Sequence, residues 1–151
     1  MTDKTSEKTP ATTSSTTSAL VTQQGRTSIA DSVVAKIAGV ATRDVSGVFA
    51  LGGGASRAVG AIRERIPGSR TNHGQGVSVE VGERQAAVDV DLVAEYGVAI
   101  ADLAASIRRN VIAAVERMTG LEVTEVNIAV TDVHLPTEDE GDDAAEQSRV
   151  Q

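Results

Sequence analysis

Residues Val77 to Glu95 read VSVEVGERQAAVDVDLVAE. Two runs alternate apolar and polar with period two, and a glycine-led turn, Gly82 to Gln85, separates them. Folding the stretch at that turn sets Val81 opposite Ala86, Val79 opposite Val88 and Val77 opposite Val90. All six side chains then share one face. A slip of one residue would send the valines to the solvent side, so the pattern specifies an antiparallel hairpin in one register.

The flanking segments supply what that face must pack against. Upstream, TSIADSVVAKIAGVATR (Thr27–Arg43) has helical spacing, with Ser28 as the expected N-cap and Asp31 in the first turn. Its expected inward stripe is Ile29, Val33, Ile37, Val40 and Ala41. Gly39 costs about 1 kcal/mol there relative to alanine, which points to close backbone packing. GVFAL (Gly47–Leu51) reads as a short buried strand.

Downstream, VAIADLAASIRRNVIAAVERMTG (Val98–Gly120) is a second amphipathic helix. Ile100, Leu103, Ala104, Ile107, Val111, Val115 and Met118 lie on one side, and Gly120 is the stop. VTEVNIAVTDV (Val123–Val133) follows as a strand with Val126, Ile128 and Val130 on one face. The order helix, strand, hairpin, helix, strand predicts an α+β two-layer sandwich. Its small, mostly antiparallel sheet carries both main helices on one face.

The ends differ in composition. Residues 1–19 are a Ser/Thr-rich leader, and 136–151 form an acidic tail with Glu138, Asp139, Glu140, Asp142, Asp143 and Glu146 against Arg149. Neither carries enough apolar side chains to offset chain entropy, so both are expected to be disordered around a folded domain at 20–135. Met1 to Pro10 contain no apolar core of a secretory signal, and nowhere do eighteen apolar residues run together. With no cysteine in the chain, disulfides and thiolate chemistry are excluded. A cytoplasmic protein is expected.

VFALGGGASRAVGAIRER (Val48–Arg65) raises the question of a phosphate loop, since a strand, three glycines and a helical stretch follow in order. It lacks the lysine of a Walker loop, and Arg57 stands where a dinucleotide fingerprint needs its last glycine. Ser56 in GASRA resembles a nucleophile elbow, but the domain is too small for the hydrolase architecture that elbow serves. His73 and His134 have no ligand spacing around them. Asp89 and Asp91 share a strand face with Glu80 and Ser78, which ordinary alternation on a half-exposed sheet also produces.

Two surface features remain. Arg57, Arg63, Arg65 and Arg70 against Glu64 make a local cationic segment, a candidate anion contact. Ala87, Val93, Ala129 and Val133 interrupt the polar outer face of the sheet and form a candidate association patch. A net charge of −7 disfavours binding to polyanions. The two aromatic residues, Phe49 and Tyr96, are too few for a nucleic-acid stacking platform.

IADSVVAKIAGVATRDVSGVFALGGG, then VSVEV, then VDVDLVAEYGVAIADLAASIRRNVIAAVERMTGLEVTEVNIAVTDV, resemble the alkaline shock protein family of bacterial envelope stress proteins. DVSGVFAL, EYGVAIADLAASIRRNV and ERMTGLEVTEVNIAV are the most specific blocks, and the resemblance spans roughly Arg26 to Leu135. It implies a non-enzymatic, cytoplasmic, membrane-proximal scaffold in Gram-positive bacteria. Such a protein self-associates and is held beneath the membrane by a small membrane-anchored partner. It has no cofactor, small-molecule substrate or catalytic residue. The alternative reading is a nucleic-acid or anionic-lipid binding module using 57–70.

Overall fold

The computed structural model describes residues 19–53 and 74–137. A small hairpin, β1 (Val21–Thr22) and β2 (Gly25–Arg26), precedes helix α1 (Asp31–Arg43) and strand β3 (Val48–Leu51). Strands β4 (Val77–Val81) and β5 (Gln85–Glu95), helix α2 (Ile100–Thr119) and strand β6 (Glu122–His134) follow. The expected leader and tail fall almost wholly outside the described residues, as do Ser56, Arg57, Arg63, Arg65, Arg70 and His73.

The hairpin forms in the register its valines dictate. Val77 pairs with Val90, Val79 with Val88 and Val81 with Ala86, while Ser78 lies beside Asp89. Strand β5 is the centre of the sheet. On one edge β3 and β4 both run antiparallel to it, end to end, meeting at Asp91. On the other edge β6 runs parallel along its whole length. A parallel neighbour needs a crossover connection, and α2 provides it. Two of the three ladders on β5 are therefore antiparallel, although the parallel one is the longest.

Gly76 has a steric role where β3 and β4 meet. The Gly52 amide donates to the Asp91 carbonyl at 2.7 Å, and the Asp91 amide donates to Gly76 at 2.8 Å. The two halves of this edge thus converge on one residue of β5. A Cβ on Gly76, whose φ is +79°, would lie 2.3 Å from the Gly52 nitrogen. Glycine is required where the two backbones touch.

Both helices cover one face of the sheet. Val34, Ala38 and Ala41 of α1 and Leu103, Ile107, Val111 and Val115 of α2 bury against Ala86, Val88, Val90, Leu92 and Ala94 of β5. The stripe of α1 is rotated from the expected one: Val34 is fully buried, whereas Val33 and Val40 are each 44% exposed. Val34, Ala38 and Ala41 face the sheet, which leaves Val33 and Val40 on the helix's outer flank. Helix α1 also starts at Asp31, with Ala30 and not Ser28 at the N-cap position. Strand β3 is only partly buried, since Phe49 points outward and is 41% exposed. Gly120 ends α2 at φ +72°, in the left-handed conformation that glycine adopts without strain.

Asn110 ties the helices together. Its side-chain amide donates to the Ala41 carbonyl at 2.6 Å. Near the end of α1 the Val45 amide bonds Thr42 instead, so Asn110 reaches a terminal carbonyl of the kind that helix ends leave open.

Candidate functional site

The face of the sheet turned away from the helices is acidic. Strands β3 to β6 carry Glu80, Asp89, Asp91, Glu95, Glu122, Glu125 and Asp132, with no Lys or Arg. Every one of these carboxylates falls at an outward register position, because each belongs to or pairs with an odd-numbered residue of β5. All seven are exposed. Across the face, Glu80 and Glu125 flank Ala87, and Ser78 and Asn127 flank Asp89. The Asn127 amide donates to the Asp89 carboxylate at 2.9 Å, so Asp89 has an ordinary cross-strand partner. Among the described residues, no three His, Cys, Asp or Glu side chains converge as a metal set.

Of the four small apolar residues expected to form one patch, Ala87, Val93 and Ala129 keep outward register and Val133 does not. Ala129 is exposed beside Asp91, and Ala87 is half-buried in the same outward register. Val93 also has outward register but is only 1% exposed. Val133 pairs with Ala94, a residue of the helix-side core, so it lies on the other face. The cause is a bulge at Thr131: Leu92 pairs with Val130, but Val93 pairs with Asp132. One extra residue in β6 reverses the alternation beyond it.

A separate bulge, in β3 between Val48 and Ala50, projects Phe49. Its ring stacks on the imidazole of His134 with centroids 3.8 Å apart and planes 1° from parallel. Strands β3 and β6 flank β5, so the two rings meet across it, with Phe49 bulged between the partners of Ala94 and Val93 and His134 paired with Glu95. Tyr96 (69% exposed) and Leu135 (41%) adjoin, the Tyr96 amide donating to the His134 carbonyl at 3.0 Å. Both aromatic residues of the chain thus lie exposed at one end of the sheet. Spacing alone does not disclose this, because Phe49 and His134 lie far apart in the sequence, in two different strands.

The helix side is different in character. Between α1 and α2 runs a groove of about 310 Å³ lined by Ile37, Val40, Ala114 and Met118 together with the charged Lys36, Asp44 and Arg117. Met118 is 65% exposed. Among the described residues, no helix is long and apolar enough to cross a membrane.

The fold and its surfaces accompany a clear sequence relationship. The profile of the alkaline shock protein 23 family, described as having a cell envelope-related function, matches residues 19–135. The stress response regulator gls24 homolog of Streptococcus pyogenes serotype M1 is 34% identical over 127 residues, 84% of this chain and 69% of the relative. The uncharacterized protein YqhY of Bacillus subtilis strain 168 is 34% identical over 116 residues, 77% of this chain and 82% of its own. No solved structure matches the chain. With nearly all of its described residues inside the matched region, the chain belongs to the alkaline shock protein 23 family, of cell envelope-related function.

Proposed function

We propose that the protein is a non-enzymatic scaffold of the cell-envelope stress response, working in the cytoplasm close to the membrane through protein–protein contacts. The observation that carries this reading is the family match over residues 19–135, with its cell envelope-related function. The exposed aromatic end of the sheet supports it. Aromatic side chains recur as anchors in protein interfaces, and Phe49 and Tyr96 are both turned outward. In this reading a small membrane-anchored protein docks at Phe49 and Tyr96 and holds the domain beneath the bilayer. The alternative, a nucleic-acid or anionic-lipid module, depends on Arg57, Arg63, Arg65 and Arg70, which lie outside the described residues.

The test is capture of the tagged full chain from detergent-solubilised native cells, with identification of what accompanies it. The scaffold reading expects a small transmembrane protein, retained by the wild type and lost with Phe49→Ala, Tyr96→Ala. Recovery of nucleic acid alone, released by salt, would instead favour the arginine segment and defeat the scaffold.

A further inference from the structure

We propose that the open edge of β6 takes an extended, basic segment of a partner protein as an added strand, with the partner's lysines or arginines lying on the acidic face. The inference deepens the scaffold reading and rests on it, because it names the chemistry of the partner and the way it is held.

The argument starts from where the main chain of β6 points. Asp91 bonds Gly76 and Gly52 through its amide and carbonyl, so odd-numbered residues of β5 face β3 and β4 and even-numbered ones face β6. Val88, Val90 and Leu92 pair with Val126, Ile128 and Val130. In a parallel ladder only one residue of such a pair bonds across. These three residues of β6 therefore turn their amides and carbonyls away from the sheet. The Arg108 Nε–H of α2 donates to the Val126 carbonyl at 3.1 Å and closes that end. Among the described residues, the main-chain groups of Ile128 and Val130 have no partner, since β6 pairs with β5 alone.

A long edge is commonly blunted by lysine, proline or shortness. Strand β6 has 13 residues and contains neither Lys nor Pro. Its bulges at Thr124 and Thr131 leave residues 125–130 as a flat, unguarded stretch.

The two sides of that stretch decide what fits it. On the helix side Ile128 and Val130 are half-buried at the margin of the core, so an added strand continues the apolar face with branched aliphatic residues at alternate positions. On the outer side Glu122, Glu125 and Asp132 form no ion pair among the described residues. Basic residues at the intervening positions of the partner answer those carboxylates. Arg108 does not oppose them, because it reaches the edge from the helix layer. Strand addition of this kind takes its affinity from main-chain bonds and its specificity from alternate side chains.

The test titrates a short fluorescent peptide of alternating valine and lysine into the purified full chain, followed by anisotropy and by NMR-detected amide hydrogen exchange. Binding should slow exchange at Ile128 and Val130 at least about tenfold, and leave Asn127 and Ala129, already bonded to β5, little changed. Salt should weaken it. The peptide with glutamate in place of lysine, and the lysine peptide N-methylated at every residue, should each bind at least about tenfold more weakly. Ile128→Pro removes an outward donor without touching the β5 ladder, and Glu125→Gln with Asp132→Asn removes charge at exposed positions. Both variants should lose binding while circular dichroism shows them folded.

Failure of the lysine peptide to bind would overturn the proposal. Equal binding of the methylated peptide, or binding without protection of Ile128 and Val130, would do the same, because charge alone would then hold the peptide. So would amides of Ile128 and Val130 already protected in the dilute free chain, since another part of the chain or a second copy would occupy the edge. Capture of a membrane protein from native cells equally by wild type and Ile128→Pro would sink this inference alone. Intact edge pairing with no membrane protein captured would sink only the membrane-anchored reading.

Discussion

The hydroxyl of Thr131 donates to the main-chain carbonyl of Leu92 across 3.2 Å. Thr131 is the bulged residue of β6, out of the pairing order, and its side chain bonds a carbonyl of the neighbouring strand where the ladder shifts. Thr124 repeats the arrangement at the other bulge of β6, between Val123 and Glu125, its hydroxyl 3.4 Å from the Ala86 carbonyl. Replacing Thr131 by valine keeps the shape and removes the donor. A net intramolecular hydrogen bond contributes about 1 kcal/mol, so Thr131→Val should lower the stability found by urea unfolding by about that amount. An unchanged urea midpoint would deny the hydroxyl its role in the bulge.

These bulges also mark where the sequence stops being readable. The hairpin was legible to the residue because Val77, Val79, Val81, Ala86, Val88 and Val90 alternate without interruption. In β6 the helix-side positions Val123, Val126, Ile128, Val130 and Val133 are spaced three, two, two and three apart. Period-two reading recovers the central three and misplaces Val133. In α1 the valines at 33 and 34 offered two stripes of similar apolarity, and only tertiary packing chose between them. The candidate surfaces were less legible still, since the Phe49–His134 stack depends on a bulge and on strand order, neither of which local spacing encodes.

Gly76 and Gly97 separate two costs of replacing a glycine. Both have positive φ, +79° and +95°, but a Cβ on Gly97 would meet nothing within 4 Å, whereas one on Gly76 would collide with the Gly52 backbone. Gly97→Ala should cost only the conformational strain, about 1–2 kcal/mol. Gly76→Ala adds a clash between main chains and should lose more than about 3 kcal/mol. Equal shifts in thermal midpoint for the two variants would contradict the end-to-end meeting of β3 and β4.

The rotation of α1 can be checked with neighbouring valines. Val34 is fully buried in the core, and Val33 is 44% exposed. Val34→Ala removes two methyl groups from a packed interior and should destabilise the protein by about 2–3 kcal/mol. Val33→Ala, in the same helix and nearly the same place, should stay within about 0.5 kcal/mol of wild type. If Val33 proved the costlier of the two in denaturant unfolding, the helix would face the sheet through the other stripe.

Asn110 offers a sharper test of how the helices are joined. Its amide nitrogen is 2.6 Å from the Ala41 carbonyl, which lies in the last turn of α1. Asn110→Ala leaves that carbonyl without its side-chain donor and opens space between the helices, for an expected loss of about 1–2 kcal/mol. Asn110→Asp keeps the size but offers an acceptor to an acceptor, and like partial charges then oppose each other at a helix end that already favours cations. The aspartate variant should therefore be the less stable of the two at neutral pH and should recover as acid protonates its carboxyl group. Hydrogen exchange of the amides at the C-terminal end of α1 would report the same ranking locally, with wild type most protected.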